Sequence, residues 1–137
     1  MTSPSHSRNA FTISFWVYGL ILVVATHAPA KGVQFLARAA ENGMLDADKL
    51  LHLIAYGVLG LLAGLAYGGR WQNASTAALW LFTLLTAWGL FDEMTQPLFG
   101  RLADVSDLIY DILGSGIGLL AGLYASSRLM RSSRTDS

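Results

Sequence analysis

Apolar residues run almost unbroken through four stretches of this chain, at residues 10–26, 50–67, 74–91 and 108–125, each 17 or 18 residues long. Polar residues gather between them. His52 is the one ionisable group in the second stretch, and Asp111 is the one charge in the fourth. A helix needs roughly 17 to 25 predominantly apolar residues to cross a bilayer. Four helices apolar on every side would find too little interior to hide in within a 137-residue soluble protein. The pattern therefore predicts an all-α membrane protein, a bundle of four transmembrane helices. Residues 10–125 form its single domain, preceded by a tail at 1–9 and followed by a basic tail at 126–137.

The segments between the helices refine this picture. Val33, Leu36, Ala40 and Met44 share one side of residues 31–44, and Lys31, Gln34, Arg38 and Glu41 the other. That suits either a short helix lying in the membrane interface or an ordinary loop. His27-Ala28-Pro29-Ala30 has the small residues of a signal-peptide cleavage site. Pro29 accounts for it more simply, as the stop of the first helix.

Composition adds exclusions. Nine Lys and Arg balance nine Asp and Glu, so the chain lacks the basic footprint of a nucleic-acid binder. Without cysteine there is no disulfide or thiolate metal site. The charges separate by side. The tails and the 68–73 loop hold Arg8, Arg70, Arg128, Arg131 and Arg134 with a single acid, Asp136. The other side holds Lys31, Arg38, Lys49 and Arg101 with Glu41, Asp46, Asp48, Asp92, Glu93, Asp104, Asp107 and Asp111. The positive-inside rule then expects a plasma-membrane protein with both termini in the cytoplasm and one acidic outer face.

Glycines repeat every four residues at Gly60 and Gly64, and again at Gly114, Gly118 and Gly122. Such stripes let helices approach closely, so the second and fourth helices are expected to touch, and the same stripes can serve a homo-oligomer. The hexapeptide GLLAGL occurs at 60–65 and 118–123, which the common composition of such helices explains better than a duplication does.

Three polar groups lie where the helices meet the acidic side. Asp48, His52 and Tyr56 stack on one face at the start of the second helix, with Lys49 beside them. Asp48 suits an N-cap. Asp92, Glu93 and Gln96 close the third helix, where acids oppose the helix dipole and need a cationic partner or a bound cation. Arg101, Asp104, Asp107 and Asp111 lead into the fourth, with Asp104 or Asp107 as its cap. Asp111 lies about one turn inside the apolar span, where an acid is costly and marks function or a register-fixing ion pair. Its expected partner is Lys49 or His52.

These groups, read as DKLLHLIAYGVLG at 48–60, FDEMTQPLFGR at 91–101 and ADVSDLIYDILGSGIG at 103–118, resemble the VanZ-like family of small bacterial membrane proteins. One departure is Asp111, where the family pattern usually has Asn. The resemblance implies a cell-envelope setting linked to resistance to the glycopeptide teicoplanin, with the three polar groups forming a shared site. Two functions are then expected of it. The first is binding of a lipid-linked envelope precursor or a lipoglycopeptide among membrane lipids, with Asp48, Lys49, Tyr56, Gln96, Arg101, Asp104, Asp107 and Asp111 as contacts. The second is a membrane-embedded hydrolase or transferase in which His52, Glu93 or Asp92 moves protons, and Asp92, Glu93, Asp107 and Asp111 hold Mg²⁺ or Ca²⁺. No complete catalytic signature is present. Proton-coupled transport has little room in four short helices.

Overall fold

The computed structural model describes residues 4–28, 47–71, 73–100 and 103–135. They form four long helices: α1 (Pro4–Thr26), α2 (Ala47–Tyr67), α3 (Ala74–Thr95) and α4 (Val105–Thr135). Single 3₁₀ turns, Gly68–Arg70 and Gln96–Phe99, follow α2 and α3. Four stretches are long and apolar enough to cross a membrane: Arg8–Thr26, Asp48–Arg70, Ala74–Phe99 and Val105–Arg131. Among the described residues the chain is all-helical, with four spans fit to cross a membrane. The segment at 31–44, whether interfacial helix or loop, and Arg101 lie outside the described residues.

Local chemistry sets the helix ends. Asn73 caps α3 by accepting the Ser75 and Thr76 amides at 2.9 and 3.3 Å. Asp104 caps α4, accepting the Ser106 amide at 2.8 Å. Asp48 is no cap. α2 starts at Ala47, so Asp48 stands in the first turn, where a negative charge suits the dipole. α3 runs past residue 91 to Thr95, which places Asp92 and Glu93 inside its last turn. Pro97 and Gly100 then turn the chain, Gly100 at φ 77°, a conformation glycine adopts without strain. α4 continues ten residues beyond the expected boundary at 125, to Thr135. No Gly or Pro interrupts residues 126–135, and nothing else there stops a helix.

The glycine stripes do what their spacing predicts. α2 and α4 meet backbone to backbone. A methyl added at Gly64 would stand 2.6 Å from the Leu123 nitrogen, and one at Gly122 would stand 3.0 Å from the Gly64 Cα. Methyls at Gly114 and Gly118 would run into the Leu53 and Gly57 carbonyls. Lipid cannot supply this density of contact, so the seam is the rigid spine of the fold. Both stripes are spent on this contact within the chain. Around it lie buried Tyr56, Leu59, Ala63, Leu81, Leu85 and Leu119, with Leu22 reaching in from α1. The Tyr18 hydroxyl donates to the Ala55 carbonyl at 3.0 Å and ties α1 to α2. Phe82 of α3 packs over Gly116 of α4.

The described acids and arginines segregate by end, with Lys49 among the acids. Asp48, Asp92, Glu93, Asp104, Asp107 and Asp111 share one end of the bundle, and Arg8, Arg70, Arg128 and Arg131 the other. These are called the acid and basic ends below.

Candidate functional site

Three strings of polar groups converge at the acid end, and each uses different helices. The first joins α2 to α4. His52 Nδ1 lies 2.9 Å from Asp111 Oδ1, so the imidazole N–H donates to a carboxylate that is 1% exposed. This identifies His52 as the partner of the intramembrane acid. Its other nitrogen, Nε2, faces Asp107 Oδ2 at 3.9 Å, beyond direct hydrogen-bond reach. Tyr56 stacks one turn deeper, its ring nearly parallel to the imidazole at 6.4 Å.

The second string joins α1, α2 and α3 through Asp92. Thr26 donates to Asp92 Oδ1 at 2.7 Å, and Tyr56 donates to Oδ2 at 3.0 Å. His27 bridges the Val23 carbonyl and the Thr95 hydroxyl, both at 2.8 Å, and packs edge-on against Phe99. Asp92 is therefore a tie between three helices. Both its oxygens are hydrogen-bonded, and it stands in neither cluster of groups that can share a metal ion.

The third string closes the turn from α3 to α4. Gln96 donates to Glu93 Oε1 at 2.7 Å, and the Asp104 amide donates to Oε2 at 3.0 Å. Gln96 pairs with Glu93 and not with Asp92, which helical spacing of four would put on its face, because the chain tightens to a 3₁₀ turn at Gln96. Asp104 itself is exposed, and the Ser106 amide that it accepts holds its carboxyl below the usual carboxylate range.

One part of this network is incomplete. Among the described residues, Asp111 Oδ2 and Gln96 Oε1 are buried with no hydrogen-bond partner. Asp111 Oδ2 lies against α3 at Gly89, 3.6 Å from where a methyl on that glycine would stand. Gly89 thus leaves room for the carboxyl, and only the absence of its side chain marks it in the sequence. From the membrane edge inward run exposed Asp48, then buried Asp107, His52 and Asp111. Among the described residues, two sets of groups bring one ligand atom each within 4.8 Å of one another: Asp48, His52 and Asp107, and His52, Glu93 and Asp111. Oxygen and imidazole donors of this kind suit a divalent cation. Of the expected metal ligands, Glu93, Asp107 and Asp111 stand in these groups, together with His52 and Asp48, and Asp92 stands in neither. Lys49 is half-buried beside this file of acids.

Thr26, His27 and Thr95 belong to the site although the sequence reading did not select them. His27 was legible as a second imidazole at the end of an apolar span, facing the same side as His52.

The architecture and the site can be set against known proteins. No curated protein and no solved structure matches the chain. The family model described as VanZ/LLP1 matches residues 3–126, which takes in α1 to α3 and most of the membrane-spanning part of α4. With four membrane-length helices and three polar strings joining them at one end, this chain belongs to the VanZ/LLP1 family.

Proposed function

We propose that the protein binds a lipid-linked precursor or a lipoglycopeptide of the bacterial cell envelope at its acid end, and that this end faces outward from the plasma membrane. The observation that carries this is Asp111 Oδ2, unpartnered among the described residues, beside a histidine whose Nε2 has no described partner within direct reach. A network built only to fix helix register satisfies its buried polar atoms, as Asp92 does, because each orphan costs about 1–3 kcal/mol. The His52–Asp111 pair leaves two acceptors unused at the inner end of a file of acids that begins at the membrane edge. A ligand bearing amino, amide or hydroxyl donors meets those acceptors, and a divalent cation bridges them to a phosphate. The basic residues Lys49 and Arg101 add attraction for an anionic headgroup. Such binding would serve the teicoplanin tolerance from which the family takes its name.

The test uses purified protein in nanodiscs, titrated separately with teicoplanin and with an undecaprenyl-linked peptidoglycan precursor. His52→Ala and Asp111→Asn are each expected to weaken binding of one of these about tenfold, which is about 1.4 kcal/mol. If both variants bind both ligands as the wild type does, the reading fails.

One observation favours a second reading. Asp111 holds the His52 ring so that Nε2 points away from the pair, the posture of an oriented general base. A membrane-embedded hydrolase, with Mg²⁺ or Ca²⁺ on the His52, Glu93 and Asp111 groups, would use that nitrogen or the metal-bound site. Glu93→Gln would then abolish turnover of a lipid pyrophosphate without disturbing insertion. A melting temperature unmoved by Mg²⁺, Ca²⁺ or chelator would remove the cation.

A further inference from the structure

The four helices do not pack equally. α2 and α4 meet along their glycines, but α1 and α3 lean apart over α2 and leave a cleft of about 390 Å³ between them. Its walls are Phe15, Trp16 and Gly19 on α1 and leucines with Trp88 on α3, and Leu59, Ala63 and Tyr67 of α2 form its floor. The volume falls within the roughly 300–1,000 Å³ of small-molecule sites. Trp16 and Leu84 on its rims are 57% and 61% exposed, so the cleft opens sideways, toward the bilayer.

Position and charge decide what fills it. The cleft begins near the middle of the helices, at Gly19, Leu59 and Trp88, and ends at Tyr67 and Trp71 at the basic end. From Leu59 to Tyr67 a helix rises roughly 12 Å, close to the half of a ~30 Å hydrocarbon core that one leaflet supplies. Leu22 and Tyr56 lie one turn farther toward the acid end, in the packed core, so the cleft does not continue to the site described above. At its mouth Arg70 lies over the Tyr67 ring at 4.8 Å and donates to the Thr12 hydroxyl at 3.0 Å. This fixes the guanidinium and leaves most of its N–H groups open. Every described acid is at the opposite end of the bundle.

We propose that the cleft holds one acyl chain of an anionic phospholipid, whose headgroup phosphate is received by Arg70 at the membrane edge. An aromatic-lined slot one leaflet deep takes a single chain, and an arginine held by Tyr67 and Thr12 selects the charge of the head. The site is independent of the acid end.

Tryptophan fluorescence tests this directly, because three of the four tryptophans, Trp16, Trp71 and Trp88, line the cleft. The full chain is placed in phosphatidylcholine nanodiscs carrying increasing mole fractions of either phosphatidylglycerol or phosphatidylcholine with brominated chains. Brominated phosphatidylglycerol is expected to quench at about fivefold lower mole fraction, the preference that one basic residue near a membrane surface supplies. Arg70→Gln, a change at an exposed residue, should bring the two lipids to parity. Gly19→Leu should abolish the high-affinity quenching by filling the cleft. Should that variant fail to insert, Gly19→Ala, whose methyl meets only ordinary contacts at 3.8 Å, should reduce it partially. Equal quenching by the two lipids in the wild type means unselective annular lipid only and overturns the proposal. So does a preference that survives Arg70→Gln, or quenching indifferent to both Gly19 variants.

Discussion

The spine of the bundle makes a prediction that two chemically identical substitutions can decide. Gly57 and Gly64 both lie on the face of α2 that meets α4, yet the space around them differs. A methyl on Gly57 would find its nearest neighbour, the Gly114 carbonyl oxygen, at 3.7 Å, an ordinary contact. A methyl on Gly64 would stand 2.6 Å from the Leu123 nitrogen and 2.7 Å from the Gly122 carbonyl carbon. Tolerable contact starts near 3.4 Å, so α2 and α4 must part there by about 0.8 Å (3.4 − 2.6). A gap of 0.5–1 Å forfeits about a quarter to a half of the dispersion attraction between facing atoms. Overpacking of this kind costs about 1–3 kcal/mol, and the gain from replacing a helical glycine by alanine offsets up to about 1 kcal/mol. Gly64→Ala should therefore destabilise by about 1–2 kcal/mol. Gly57→Ala should be neutral or stabilise by up to about 1 kcal/mol. The assay is reversible unfolding of the purified protein in mixed micelles with a denaturing detergent, read by circular dichroism. A separation of about 2 kcal/mol between the variants corresponds to roughly a thirtyfold ratio of unfolding constants. Two variants within about 0.5 kcal/mol of each other, the ordinary spread of substitutions that disturb nothing, would refute the close-packed seam.

The acid end yields further expectations. Tyr56→Phe and Thr26→Val each remove a donor to Asp92, and each should cost about 1–3 kcal/mol in the same unfolding assay. Because both act on one carboxylate, their effects should not add in the double variant. Gly89→Ala places a methyl 3.4 Å from both Asp111 Cβ and the Tyr56 ring, so it should weaken ligand binding at Asp111 more than it lowers the melting temperature. Asp104 predicts a pH dependence. Its carboxyl titrates lower in the folded chain than in the unfolded one, so its capping contribution is fully present above the ordinary carboxylate range. It is lost as pH falls through the depressed folded value. The protection factor of the Ser106 amide, its exchange rate relative to an unfolded chain at the same pH, should fall on acidification in the wild type, and should be flatter with pH in Asp104→Asn, whose cap does not titrate. Protection of equal pH slope in both would dismiss the cap.

Much of the architecture could be read from hydropathy because a bilayer tolerates few alternatives to the helix. The 3₁₀ turn at Gln96 was harder to read. Pro97 signals a break, but only the fold shows that Gln96 turns to Glu93 rather than to Asp92. The pairing of His52 with Asp111 could be anticipated, since the glycine stripes bring their helices together. The role of Asp92 could not. Helix periodicity says which way a carboxylate points along its own helix, and not which hydroxyls two other helices carry to that depth. Thr26 reads in sequence as an unremarkable polar residue at a helix end, and its partner is 66 positions away. Continuation of α4 to Thr135 was hidden by composition, because serines and arginines resemble a tail until nothing is found to end the helix.

The pairing of α2 with α4 also has a consequence in time. A chain made from its N-terminus presents α2 to the membrane before α4 exists. During that interval Gly60 and Gly64 offer a bare backbone groove to whatever helix is nearby, and His52 stands in the bilayer without Asp111. The last helix is thus the keystone. Its arrival closes the groove and neutralises the imidazole in one step, so a product truncated before residue 111 is left with both defects and differs from the finished protein in kind. A membrane protease that senses unpaired polar groups has, in His52, a clear mark by which to recognise an unfinished copy.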